Sequence, residues 1–145
     1  MKDHVGYRVG VHMKGYGTRQ PVIVIGGTTE DFLGEYMAGG MIILLGLNVE
    51  EHRMKFIGSG MHGGVIYVRK GIRKDQLSRH VIAEDADKGD FSVIRTYVRR
   101  FSEAFGVSET EIMNSEFVKL EPLGKRLFHV PVSYTHLTLP TKRIV

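Results

Sequence analysis

The sequence predicts a mainly β fold: a right-handed parallel β-helix, in which a single-stranded solenoid of Gly-rich rungs is followed by a C-terminal helical cap. Three observations favour it. Glycine supplies 18 of 145 residues and is almost absent from positions 91–123. Glycine-methionine segments repeat in the first half, and an amphipathic pattern replaces them after Asp90. We expect one domain, with rungs in residues 1–86 and a helical segment in residues 87–131.

The repeated unit is an aliphatic residue, a glycine, two variable residues and a methionine, followed by a glycine turn and a strand. Its copies begin at Val9, Leu33 and Ile57, at intervals of 24 residues. Such units are too short to hold a helical crossover between parallel strands, so directly stacked rungs are expected. The predicted structural rung-corner glycines are Gly10, Gly26, Gly34, Gly39, Gly40, Gly46, Gly58, Gly60, Gly63 and Gly64.

Alternation along the strands separates an inner from an outer face. Counting from each turn, the predicted inner ladders are Val22 with Ile42 and Ile66, and Val24 with Leu44 and Val68. The outer positions are Ile23, Ile25, Ile43 and Leu45, which give way to Tyr67 and Arg69 in the third rung. An apolar outer face predicts a partner that covers it. The pattern opens within a rung, so we expect earlier rungs to be absent and the first strand to be an uncovered edge.

The C-terminal segment has the periodicity of an amphipathic helix, with apolar residues three and four apart. Asp87 or Asp90 can cap its start and Gly106 can end it. Ser108 with Glu111 predicts a capping box for a second short helix that ends near Asn114. We expect the first helix to cover the open edge of the last rung. Its basic residues are expected to be solvated rather than to bind phosphate: Arg95, Arg99 and Arg100.

Gly58, Gly60 and Gly63 satisfy the G-x-G-x-x-G pattern of dinucleotide-binding proteins. A true nucleotide motif lies between a strand and a helix, so that the helix N-terminus faces the phosphates. Here a polar segment precedes the motif and a strand, Val65–Arg69, follows it. The glycines are therefore interpreted as the corner of a rung.

The remaining reactive side chains do not form a recognisable catalytic pattern, and no catalytic, cofactor-binding or metal-binding residue is predicted. His12, His52 and His62 show no metal-ligand spacing on one element. Ser59 and His62 lie outside a nucleophile elbow. The adjacent carboxylates fit solvated corners better than acid-base pairs: Glu30 with Asp31, and Glu50 with Glu51. The chain has no cysteine, which excludes disulfides and thiolate ligands within it.

The composition favours a cytoplasmic protein with no nucleic-acid or membrane partner. No apolar run approaches the roughly 18 residues of a membrane span. The formal charge is +4, and Lys142 and Arg143 supply two of these charges. Residues 132–141 read VSYTHLTLPT, which is identical to a translated transposon end and sequencing adapter. Residues 132–145 are therefore expected to be adapter read-through rather than native sequence.

The segments VGYRVGVHMK, DFLGEYMAGGMIILLGL and IGSGMHGGVIYVRKG resemble the GXGXG domain at the end of the glutamate synthase large subunit, in its stand-alone prokaryotic form. The resemblance extends from about Val5 to Leu120. Lys70 stands where that family usually has glycine, with Gly71 one place later, so a displaced last corner is expected. Compared with that family, we expect the N-terminal rungs of a full domain to be missing.

The resemblance implies a non-catalytic β-helix domain of an oxidoreductase of glutamate biosynthesis. Its implied partners are the glutaminase domain, which releases ammonia from glutamine, and the FMN-binding synthase domain, which makes glutamate. FMN and iron-sulfur clusters would reside in those partners and no cofactor in this chain. Two alternatives stay open: the β-helix polypeptide of another oxidoreductase, such as formylmethanofuran dehydrogenase, and an independent hydrolase.

Overall fold

The computed structural model describes residues 6, 9–10, 13–14 and 20–124. It is mainly β, with five strands in one sheet of order β1-β2-β3-β5-β4. The strands are β1 (Val22–Ile25), β2 (Ala38–Leu44), β3 (Gly63–Arg69), β4 (Val81–Asp85) and β5 (Phe117–Pro122), with a 3₁₀ turn at Lys74–Gln76 and helices α1 (Lys88–Phe105) and α2 (Glu109–Met113). The segment interpreted as adapter read-through lies outside the described residues.

Strands β1, β2 and β3 are parallel and adjacent, as the repeat predicts. Ile42 lies opposite Ile66, and Leu44 lies opposite Val68, so the predicted pairing of β2 with β3 is confirmed.

The predicted register of β1 is wrong by one residue. Ile23 lies opposite Ile42 and Ile25 opposite Leu44. Ile23 and Ile25 therefore belong to the inner ladder, in place of Val22 and Val24. The error arises at the Gly26–Gly27 doublet, because Gly27, not Gly26, lies against Gly46, whose N–H donates to the Gly27 carbonyl at 2.8 Å.

The glycine-methionine corners also lie over one another. The N–H of Gly34 donates to the carbonyl of Val9 at 2.7 Å, and that of Gly58 donates to Leu33 at 2.8 Å. One step further along the chain, Ile57 forms a parallel bridge with Leu77. Residues 19 to 25 apart in the chain are thus paired at the corners as well as in the parallel strands. The inner core lies between these two sides.

The edge of β3 is covered by a strand rather than by the predicted helix. β5 pairs antiparallel with β3, and β4 pairs antiparallel with β5. The sequence patterns did not predict β5. Its residues come from the segment after α2, and the pairing closes the edge with backbone hydrogen bonds that no helix could supply.

Helix α1 begins and ends as the sequence predicts. The Asp87 side chain caps it by accepting from Asp90 N, and Gly106 terminates it with a φ of 70°. Ser108 likewise caps α2 by accepting from Glu111 N. Within the described part of the chain, no helix is long and apolar enough to cross a membrane.

The apolar outer face of the sheet is covered by this chain itself. Ile43 and Leu45 are fully buried in a second core formed with Ile94, Val98 and Phe101 of α1. The expectation that a partner covers Ile23, Ile25, Ile43 and Leu45 is therefore wrong. The first two lie in the inner ladder, and α1 packs on the other two because its apolar stripe matches the face of the sheet.

Candidate functional site

The G-x-G-x-x-G segment uses its amides to join neighbouring rungs. Gly58 N donates to Leu33 O at 2.8 Å, and His62 N donates to Met37 O at 2.8 Å. Gly60 N donates to the Nδ1 atom of His80 at 3.0 Å. The strand β3 begins at Gly63, so the motif opens a strand and not a helix. These N–H groups are engaged within the protein, whereas a phosphate cradle needs them to point at the ligand.

Backbone segments of adjacent rungs approach most closely at the glycine pairs that begin β2 and β3. A Cβ on Gly63 would meet the carbonyl oxygen of Ala38 and lie 2.9 Å from its carbonyl carbon. A Cβ on Gly64 would lie 3.0 Å from the carbonyl atoms of Gly39. Only glycine leaves room for this contact.

The other predicted corner glycines occupy equivalent places along the stack. Gly10, Gly34 and Gly58 repeat at the corners in the left-handed region, with φ values of 75°, 71° and 72°. Gly40 and Gly64 form a second such pair, with φ of 86° and 83°. Gly26 and Gly39 are not in the left-handed region, and Gly46 (φ 61°) follows the end of β2. All of these glycines lie in the strands or in the turns next to them.

A buried polar ladder runs through the turns at positions 28, 52 and 76. The Thr28 hydroxyl lies 2.7 Å from Nδ1 of His52, whose Nε2 lies 2.8 Å from the Arg69 carbonyl. Nε2 of Gln76 donates to the carbonyls of His52 and Met54, at 2.8 and 2.9 Å. These bonds satisfy polar groups of the turn that strand pairing does not reach.

His52 is held in its neutral form. It is 1% exposed, and burial, which disfavours the charged ring, lowers its pKa below the ordinary value of 6.5. Because a carbonyl can only accept, Nε2 carries the proton and Nδ1 accepts from Thr28. The ring therefore serves as a bridge between two rungs.

A second buried cluster joins the sheet to the start of α1. The Tyr67 hydroxyl donates to Oδ1 of Asp90 at 2.7 Å, and Nζ of Lys119 lies 3.1 Å from the same oxygen. Oδ2 of Asp90 accepts from Asp87 N at 2.9 Å. One carboxylate thus connects β3, β5 and the helix cap.

The electrostatics of this cluster favour the ionised carboxylate. Burial alone raises the pKa of Asp90, but the hydrogen bonds from Tyr67, Asp87 N and Lys119 outweigh it and hold the pKa below its ordinary value. Burial, followed by the bond to Asp90, raises the pKa of Tyr67. Burial lowers the pKa of Lys119, but the interactions with Asp90 and Glu121 raise it by more than burial lowers it. The net shift of the Lys119 pKa is therefore upward. Tyr67 stays neutral and Lys119 charged at neutral pH.

A trough of about 590 Å³ opens beside this cluster, over the part of the sheet that α1 leaves uncovered. Its floor contains Val22, Met41 and Val65, and its walls contain Tyr97 and Lys119. A further cavity of about 470 Å³ next to it shares Val22 and Tyr97 and extends to Arg100. Both fall within the size range of ligand pockets.

The other reactive side chains named from the sequence do not converge. His12 lies outside the described residues, His52 is in the polar ladder, and His62 is exposed on a corner. Among the residues that the structure describes, no three metal-ligating side chains of the histidine, aspartate and glutamate types come together. Asp31 accepts from Lys55 N at 2.8 Å, and Glu51 pairs with Arg53 and Arg73 on the surface.

The sequence patterns did not identify Gln76, Tyr67, Asp90 and Lys119 as members of polar clusters. The 24-residue period could have identified Gln76, because Thr28, His52 and Gln76 follow that spacing. No comparable signal exists for Lys119, whose partner is fixed by the antiparallel pairing of β5 with β3. Arg69 was expected on a polar outer face but is 8% exposed, donating to Leu45 O and Ser115 Oγ.

Comparison with known proteins supplies a family for this architecture. Residues 1–123 match the profile of the family described as GXGXG motif. An uncharacterized protein of Methanocaldococcus jannaschii is 42% identical over 132 residues, a match that covers 86% of this chain and 51% of the relative. The chain thus spans about half the length of this curated relative.

Proposed function

This chain belongs to the GXGXG motif family, and on that basis we propose that it is a non-catalytic, right-handed β-helix domain of a glutamate-synthase-type oxidoreductase in the cytoplasm. In this role it is a rigid spacer between the site that releases ammonia from glutamine and the FMN site that uses ammonia to make glutamate. FMN and iron-sulfur clusters reside in the partner polypeptides.

The observation that supports a scaffold role most directly is the use of the glycine segments. Their amides and close contacts join rung to rung, at Gly58, Gly60 and Gly63 above all. A stack held by regular backbone hydrogen bonds is stiff along its length, which suits an element that keeps two active sites at a fixed separation.

The experiment is co-expression of the full chain with the glutaminase-type and FMN-binding polypeptides encoded next to it. We expect one complex that makes glutamate from glutamine and 2-oxoglutarate, with activity that is lost when this chain is omitted. A fully active glutaminase–FMN complex that does not bind the chain contradicts the proposal. Neighbouring genes for a molybdenum or tungsten enzyme would instead favour a formylmethanofuran dehydrogenase.

A pair of variants tests whether the complex needs the intact contact between neighbouring strands or only the presence of this chain. Gly63→Ala disturbs the contact with Ala38, whereas Gly124→Ala adds a methyl group that has no atom of the described residues, its chain neighbours aside, within 4 Å. We expect Gly63→Ala to weaken assembly or coupled activity, and Gly124→Ala to behave as the unaltered chain does.

A further inference from the structure

Helix α1 presents an electropositive side to solvent. Three exposed cations line one groove on it, and together they define the α1 outer face: Lys88, Arg95 and Arg99. Arg100 is also exposed but lies about a third of a turn away around the helix. Arg99 pairs with Glu109 at 3.0 Å, and Arg100 lies 5.6 Å from the ring centroid of Tyr97. No carboxylate of the described residues lies within ion-pair distance of Lys88, Arg95 or Arg100. Glu109 and, at longer range, Glu103 offset the charge of Arg99. Lys88 and Arg95 are the cations of this face that have no ion pair among the described residues.

The rest of the chain offers almost no carboxylate that could neutralise this face. Residues 1–5, 7–8, 11–12, 15–19 and 125–145 contain a single acidic side chain, Asp3. The same residues contain several lysines and arginines. These residues therefore supply at most one side-chain carboxylate to this face.

A groove of about 470 Å³ runs along this face. Phe91 and Met113 supply apolar surface, and Lys88, Arg95 and Arg99 line it as cations. The groove is lined mostly by polar and cationic residues, with an apolar part at Phe91 and Met113. Such a surface complements an apolar side chain surrounded by carboxylates.

Helix α1 lies between part of the sheet and solvent. It covers Ile43 and Leu45, two of the outer positions that a partner was expected to cover, so over that part of the sheet the exposed surface is the outward side of the helix. We propose that the α1 outer face is the docking surface for an acidic patch, with an apolar side chain at its centre, on a partner polypeptide of the complex. This inference rests on the proposed function and names the surface and the chemistry of the contact.

The test uses charge reversal in the full chain, with binding to the co-expressed glutaminase and FMN polypeptides measured by calorimetry. Lys88→Glu and Arg95→Glu alter exposed residues outside any ion pair and retain helix-forming side chains. We expect each to weaken binding about tenfold or more and to reduce its salt dependence. The controls are Lys55→Glu and Lys74→Glu, which make the same charge change on rung corners and leave the affinity within about twofold. A complex that forms with unchanged affinity in Lys88→Glu and Arg95→Glu overturns the inference and leaves the proposed function standing.

A second measurement does not depend on the partner. Amide resonances of the full chain are followed by NMR during titration with poly-L-glutamate, with inorganic phosphate and a short DNA duplex as comparators. Shifts concentrated on α1 with poly-L-glutamate, abolished in Arg95→Glu, support an acidic polypeptide. Tighter binding of DNA or of phosphate at the same residues overturns it. If the glutaminase and FMN polypeptides do not bind but poly-L-glutamate does, the function proposal fails, and with it the assignment of this surface to a partner of that complex.

Discussion

Lys70 shows how one residue keeps a corner of the stack in place without glycine. Its φ of 79° lies in the left-handed region, as does the φ of 61° at Gly46, 24 residues earlier. Nζ of Lys70 donates to the carbonyls of Gly46 and Val49, at 2.8 and 2.7 Å. Lys70 thus has the conformation of Gly46 in the preceding repeat, but Gly71 also lies in the left-handed region, with a φ of 79°, which Leu47 does not share. Hydrogen bonds to that repeat offset the backbone strain.

Replacement of Lys70 separates the strain from the hydrogen bonds. Lys70→Ala and Lys70→Gly both remove the side-chain bonds, but only glycine relieves the left-handed backbone, so we expect Lys70→Gly to be more stable by about 1 kcal/mol. Lys55 is an exposed control outside the left-handed region, where alanine should be the more stable by about 0.5 kcal/mol. The free energy of unfolding in urea measures both pairs. Equal stability of Lys70→Ala and Lys70→Gly would show that the corner is unstrained.

His52 makes the stability of the fold depend on pH. Its pKa in the folded protein is lowered by burial, so below about pH 6.5 the unfolded chain binds the proton more readily than the folded one. The contribution is present above that pH and is lost as the pH falls through it. We expect the melting temperature to drop between about pH 7 and pH 5. In His52→Gln this component should be missing.

The control for His52 is His62→Gln, which replaces an exposed histidine of the same chain. It should retain the decline of the unaltered protein. An identical pH profile for His52→Gln and the unaltered protein would assign the decline to other groups. Thr28→Val, which removes the hydroxyl donor to Nδ1, should lower stability by about 1 kcal/mol at neutral pH.

At the scale of elements, strands β2 and β3 are joined by glycine-lined contacts as much as by side chains. The glycine pairs at their starts let the two backbones approach within the distance that a Cβ would occupy. These positions were predictable because the repeat places glycines at both. The register of β1 against β2 was predicted one residue out, because either glycine of the Gly26–Gly27 doublet could be aligned with Gly46 at the end of β2.

Gly63→Ala tests the contact between the rungs. Gly63 is outside the left-handed region, so the expected loss comes from the clash with the Ala38 backbone alone. We expect a loss of about 2–3 kcal/mol, because backbone cannot yield as a flexible side chain can. Gly106→Ala is the matched comparison, with strain at a φ of 70° but open space around the new methyl group, and it should cost about 1 kcal/mol. Urea unfolding ranks the two. A smaller loss for Gly63→Ala would mean that the rungs can separate.

At the scale of the whole molecule, Asp90 joins three elements that are distant in sequence. Its carboxylate binds Tyr67 of β3, Lys119 of β5 and the cap of α1. The Asp90 side chain is 9% exposed and the Lys119 side chain 21%. Removal of the charge leaves Lys119 partly buried without its nearest counter-ion.

We expect Asp90→Asn to lower the free energy of unfolding by about 2–3 kcal/mol, less than for a fully buried pair because Lys119 retains some solvent. The control is Glu109→Gln, which breaks the exposed pair with Arg99 and should cost less than about 1 kcal/mol. Urea unfolding of both variants at neutral pH gives the comparison. If the two losses were equal, the charge of Asp90 would contribute no more to stability than an exposed ion pair does.

Sequence patterns predicted the glycines of the candidate site but not its polar clusters. The rung-corner glycines follow from a period that is visible along the chain, and the polar ladder could have been found by the same period at Thr28, His52 and Gln76. The Tyr67–Asp90–Lys119 cluster could not, because Lys119 reaches Asp90 only after β5 has paired with β3. The basic residues of α1 were recognised in the sequence. Their position relative to the sheet was not, because it depends on which surface the apolar side of α1 covers.

Local periodicity by itself determined the mainly β class, the parallel stacking of β2 on β3 and the caps of α1, because each depends on residues close in the chain or on a regular repeat. The tertiary structure alone decided the register of β1, the insertion of β5 at the sheet edge and the burial of Ile43 and Leu45 beneath α1. These depend on pairings between distant segments, which hydrophobic alternation permits in more than one arrangement and only packing selects.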